Sequence, residues 1–109
     1  MNHSLQDAVS LELGRRIAQG LHQHPEWLDL ARANLERWEE RNRDVPSLLR
    51  CYAEWKELLR RPVDEIAAVL TAETEDGQRI RQNSPFAGVF SAREVWEIKR
   101  RHRHGTSAA

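Results

Sequence analysis

Apolar residues recur along this chain at intervals of three and four, with no alternation of two long enough to make a strand. Leu5, Val9, Leu13, Ile17 and Leu21 fall every fourth residue. On a helix of about 3.6 residues per turn they line one stripe. Ser4, with Asp7 three residues on, resembles a capping box, and HQHP closes the element. Gly14 and Gly20 each weaken such a helix by up to about 1 kcal/mol relative to alanine. The first helix is therefore either the least stable element or packs where a side chain would not fit.

Pro25 suits the first position of a second helix, with Glu26 and Asp29 near its positive end. Leu28, Ala31, Leu35 and Trp38 then follow the 3-4-3 spacing of a bundle seam, with Trp27 beside it. Pro46 opens a third helix after Asp44, a candidate cap. Its face, Leu48, Tyr52, Trp55 and Leu59 with Leu49 and Leu58 alongside, is the widest and is expected at the centre of the core. Pro62 starts a fourth helix, with Val63, Ile66, Ala67 and Leu70 as its stripe. Residues 74–82 are expected to add one or two more helical turns, against the pull of Gly77 and the local charge density.

Ser91 and Glu94 form a capping box for the last helix, and Phe90 and Val95 have the spacing of a hydrophobic staple. Val95, Trp96 and Ile98 are expected to face inward ahead of the basic run KRRHRHG. The expected fold is all-α, a single-domain bundle of five or six short helices over residues 1–104, with 105–109 a disordered tail.

Size and composition agree with that fold. At 109 residues the chain suits one domain with a modest core. No apolar run approaches the roughly 20 residues of a membrane span, and the N-terminus lacks the pattern of a secretory signal. With one cysteine, Cys51, no internal disulfide can form, and a cytoplasmic protein is expected. The net charge is zero but unevenly spread. Residues 1–76 carry ten Lys/Arg and fifteen Asp/Glu, whereas residues 77–109 carry seven and two. The basic third either meets something acidic, folds back on the acidic part, or is simply solvated.

Catalytic and metal chemistry find little support. His22 and His24 make an H-x-H pair without the further ligands zinc requires. Cys51 sits among Leu48, Leu49 and Tyr52 as a small apolar filler rather than a nucleophile. Glu39–Glu40 and Asp64–Glu65 lie where helix ends and exposed faces ordinarily carry carboxylates. No phosphate loop, nucleophile elbow or HExxH is present. No enzyme, cofactor or metal is expected.

Two binding classes remain. In the first, the C-terminal third grips a protein through Phe86, Phe90, Arg93, Trp96, Lys99 and Arg100, residue types that anchor interfaces. In the second, Arg79, Arg81, Lys99, Arg100, Arg101 and Arg103 neutralise phosphates of a nucleic acid, as a small DNA-binding regulator would. The zero net charge and the acidic start of the fourth helix count against a helix-turn-helix. Phe86 is ambiguous by local rules, either a core plug or an anchor offered to a partner.

Three stretches carry a family resemblance: P-x-x-L-x-x-A-R-x-N-L-x-R-W (Pro25 to Trp38), Y-x-E-W-x-x-L-L-x-R-P-V-D-E (Tyr52 to Glu65), and G-Q-R-I-R-Q-N-S-P-F-A-G-V-F-S (from Gly77), which runs on through E-V-W to Arg100. Together they span about residues 13 to 101, and QNSPFAG is the sharpest part. The chain resembles a group of short bacterial proteins of toxin–antitoxin type, in the antitoxin role. The resemblance implies protein–protein interaction with a co-encoded toxin, contact with operator DNA as an added role, and no catalytic residues. Unlike the commonest antitoxins, this chain has helical patterning almost throughout. Self-association is a further option.

Overall fold

A computed structural model describes residues 3–108, with side chains over residues 5–104. The protein is all-α, with six helices and, among the described residues, no strand. They are α1 (His3–Gly20), α2 (Glu26–Arg41), α3 (Pro46–Leu58), α4 (Val63–Leu70), α5 (Glu75–Arg81) and α6 (Ala92–Ala108). The Ser4 side chain, expected to cap α1, lies outside the described residues, whereas the backbone of 105–108, expected as part of a disordered tail, continues α6.

The stripes read from the pattern converge on one core. α1 supplies Ile17 and Leu21, α2 supplies Ala31 and Leu35, and α4 supplies Ile66 and Leu70. Tyr52, Trp55 and Leu59 come from α3 and its C-cap, with Trp55 the largest fully buried side chain. Phe86 enters the same cluster from the α5–α6 loop.

α1 packs along α4, α5 and α6, and its glycines explain how closely. A Cβ on Gly14 would overlap the Leu70 carbonyl oxygen, and one on Gly20 would meet the Trp27 ring at 2.6 Å. The second of the two readings of these residues therefore holds: each gives up helix propensity so that a neighbour can touch the backbone.

Helix starts follow the sequence to within a residue: Pro25 and Pro62 are the N-caps of α2 and α4 rather than their first residues. Thr74 caps α5 through its hydroxyl, which accepts from the Gly77 N–H at 3.0 Å. Gly77 lies within this helix, and a Cβ there would meet the Ala72 carbonyl oxygen at 2.6 Å, so the close approach calls for glycine. At α3 the N-cap is Val45 with no side-chain cap bond, so Asp44 is not the cap. Pro46 sits at the start of α3, where its absent N–H leaves no bond unmade.

α6 begins on the expected capping box. The Ser91 N–H donates to Glu94 Oε1 at 2.9 Å, and the Glu94 N–H donates to Ser91 Oγ at 3.1 Å. Ile98 is buried and Val95 half-buried, but Trp96 points outward, 59% exposed. This corrects the inward expectation. Val95, Ile98 and His102 are spaced for a single helical face, and Trp96 falls off it.

Candidate functional site

The C-terminal third was expected to be one contact region, and the fold divides it in two. Its first part, the α5–α6 loop, is spent on structure. The Asn34 Nδ2 of α2 donates to the Pro85 carbonyl at 2.7 Å and to the Ala87 carbonyl at 2.9 Å. These two bonds straddle Phe86 and turn its ring inward, 3% exposed and edge-on to Trp55 at 6.1 Å. Arg37 in turn donates to Asn34 Oδ1. The Trp55 indole N–H donates to the Ile80 carbonyl at 2.9 Å, which fixes the end of α5. Gly88, at φ 96°, supplies the left-handed residue that brings the chain back out to α6. Phe86 is thus the core plug and not a surface anchor. Phe90 is half-buried, its ring 6.2 Å from Trp27.

Two arginines proposed for nucleic acid are also held by the protein. Arg79 makes a two-pronged pair with Glu54, at 3.1 and 3.0 Å, and also bonds Asp76. Its hydrogen bonds to the Glu54 and Asp76 carboxylates hold its guanidinium even more firmly charged than usual. Arg81 is buried, with its guanidinium bonded to Ser10, Leu70 and Ala72. Burial pushes its affinity for the proton below the usual arginine value.

α6 folds back on α1 through Glu12. Arg101 donates to Glu12 Oε2 at 3.1 Å, His102 Nε2 lies 2.6 Å from Oε1, and Arg16 sits 2.7 Å from Oε2. Burial raises the Glu12 carboxyl, but the bonds to His102 and Arg16 and the Arg101 charge outweigh it, so its pKa lies below the ordinary carboxylate value. Part of the basic run therefore meets its own acidic half.

What remains on the surface is the outer face of α6. Arg93, Trp96 and Arg100, three and four residues apart, form one stripe. The Arg100 guanidinium lies 5.5 Å over the Trp96 ring, within cation–π range. Arg93 is exposed, with Glu97 3.6 Å away. Lys99 and Arg103 flank the stripe and line a groove against α1.

The other chemical candidates stay scattered. His22 lies 3.0 Å from Asp64, and His24 lies 3.1 Å from Glu26 and stacks on Trp27. Among the described residues, no group of three or more His, Cys, Asp or Glu is placed to hold a metal. Cys51 is a half-buried free thiol. No described helix is long and apolar enough to cross a membrane.

Asn34 was missed as a determinant of this region. Its signal was a polar residue inside the Ala31–Leu35–Trp38 seam, where a side chain either buries with partners or opens the stripe. Comparison with known proteins finds no match to a protein-family model, a curated protein or a solved structure.

Proposed function

We propose that this chain is a non-enzymatic interaction protein, the antitoxin of a bacterial toxin–antitoxin pair, and that the outer face of α6 is its grip on the toxin. The observation that carries the interaction reading is Trp96. It is a large ring left 59% exposed, on a helix whose opposite side is anchored by buried Ile98. Arg93 and Arg100 flank the ring, and Trp and Arg are among the residue types enriched at energetic centres of interfaces. The toxin as partner rests on the resemblance of the QNSPFAG region and its neighbours.

The partner surface that fits is an apolar pocket rimmed by acidic groups. Arg93, Lys99 and Arg100 then steer the encounter, and Trp96 supplies the buried contact. Co-expression with each neighbouring gene product, followed by pulldown, tests the reading. A toxic neighbour that co-purifies with the wild-type chain and is lost with Trp96→Ala plus Arg93→Glu supports it. Absence of any toxic neighbour, or retention by the double variant, defeats it.

A second reading keeps one observation in its favour. Lys99, Arg100 and Arg103 lie within little more than a turn of α6, so operator DNA remains a candidate partner for that helix. It predicts a gel shift on the protein's own promoter that weakens steeply with salt. No shift at low salt removes it.

A further inference from the structure

Arg81 is the one buried charged side chain among the described residues, at 5% exposure. All its hydrogen bonds go to neutral acceptors. Nε donates to the Ser10 hydroxyl at 3.1 Å, and Nη1 donates to the carbonyls of Ala72 at 2.6 Å and Leu70 at 3.4 Å. Among the described residues no carboxylate forms an ion pair with it. Glu73 is engaged by Arg15 at 3.2 Å, and Asp7 influences Arg81 without bonding to it.

Buried charges are ordinarily paired, because an ion taken out of water costs several kcal/mol. The carbonyls at the end of α4 return only part of that, since a helix terminus is worth about half a charge. Arg81 is a cation short of a counter-ion.

Its unused donor has somewhere to point. Nη2 makes no bond to a described residue, yet no fully buried side-chain nitrogen or oxygen lacks a partner among the described residues. Nη2 therefore opens on space rather than on packed protein. Arg81, Ser10 and Leu13 line two adjoining cavities between α1, the α5–α6 loop and α6. The inner one, about 320 Å³, is walled mainly by Leu13, Ile17, Phe86, Phe90 and Val95. The outer one, about 650 Å³, carries Lys99 beside Arg81 and, among the described residues, one acid, Asp7; Arg103, at its edge, is already engaged. Both are of ligand size, roughly 300–1,000 Å³.

We infer that this pair of cavities binds a small amphiphilic anion, an unbranched apolar tail ending in a carboxylate. The tail fills the inner, apolar cavity. The head lies in the outer one, beside Lys99, and supplies the counter-charge Arg81 lacks. The site is on the groove side of α6 and shares only Lys99 with the proposed grip; Trp96, Arg93 and Arg100 lie outside it, so it stands whether or not that outer face grips a toxin.

Titration of the full chain with decanoate, below its aggregation range, tests the assignment by calorimetry and thermal melting. One saturable site is expected, with a rise in melting temperature. 1-Decanol, which keeps the tail and loses the charge, should bind at least about tenfold more weakly. Lys99→Glu, an exposed substitution, should weaken decanoate by about tenfold, since it turns an attraction at the head into a repulsion. Val95→Trp, which fills the inner cavity, should remove binding. Unsaturable binding, a fall in melting temperature with decanoate, equal affinity for the alcohol, or indifference to Lys99→Glu overturns the assignment.

Discussion

Phe86 and Trp96 are ten residues apart in the same basic, aromatic third of the chain, and the fold uses them in opposite ways. Phe86 is 3% exposed and closes the core against Trp55, whereas Trp96 is 59% exposed on α6. What separates them is the backbone on either side. Phe86 is straddled by carbonyls that Asn34 holds, so its ring has one direction to take. Trp96 sits on a helix whose phase is set by Ile98, which carries the indole to the far side. An aromatic residue in a basic segment is therefore no sign of a contact until the element beneath it has been oriented.

The sharpest way to break the comparison is to shorten both rings. Phe86→Ala removes a fully packed ring and leaves a cavity, costing about 3–5 kcal/mol. Domains of this size commonly hold only about 5–15 kcal/mol in total, so the variant should be largely unfolded or marginal in urea titration. A loss under about 1 kcal/mol would show that the loop can close without its plug.

Asn34→Ala should come next. It leaves the Pro85 and Ala87 carbonyls without their donor, at about 1–3 kcal/mol for each buried group left unsatisfied. Some of that returns if water enters, so a net loss of about 2–3 kcal/mol is expected, read as a lower urea midpoint with an unchanged slope. The loop should also lose hydrogen-exchange protection before the rest of the core. Uniform loss of protection would mean that Asn34 supports α2 packing rather than the loop.

How much of this was legible follows from where each partner lies along the chain. The capping box at Ser91 and Glu94 was readable because both members lie within one turn. The same holds for the stripes of α1 to α4, whose spacing is a local property. Gly14 was readable as a choice between weakness and close packing, and the Leu70 carbonyl decides for packing. Arg81 was not readable. Its acceptors lie at Ser10, Leu70 and Ala72, so nothing within a helical turn marks it as buried. Arg79 looked equally available for phosphate, and its main partner, Glu54, is 25 residues away. Trp96 was placed on the wrong face because Val95 and Ile98 alone leave the phase of a short stripe loose. The fold was thus local information, whereas the site depended on which cations the fold consumes.

Glu12 sharpens the comparison from the side of charge. A carboxyl whose pKa is lowered by folding adds stability that is complete above its unfolded value and is lost as pH falls through the folded one. The Glu12 contribution is therefore intact at neutral pH and fades as pH drops below about 4.5, the ordinary value. Glu12→Gln should cost about 1 kcal/mol or less at neutral pH, and should flatten that part of the acid limb. An acid limb identical to wild type would mean that Glu12 does not secure α6 to α1. Ser91→Ala, at the helix start, should cost a comparable ~1 kcal/mol through loss of the cap, with no change in its pH dependence beyond that of Glu94.

Trp96→Ala completes the series with the smallest expected change in stability, within about 0.5 kcal/mol, because the ring contributes little to the core. It gives up the Arg100 stack, worth about 0.5–1 kcal/mol at an exposed site and partly recovered when the guanidinium returns to water. If Trp96→Ala melts like wild type yet releases the partner, the same substitution that unfolds the protein at position 86 only disarms it at position 96. A loss above about 2 kcal/mol would instead place Trp96 against the body of the protein in solution. The outer face of α6 would then be structural like the loop before it, and the proposed grip would have to lie elsewhere.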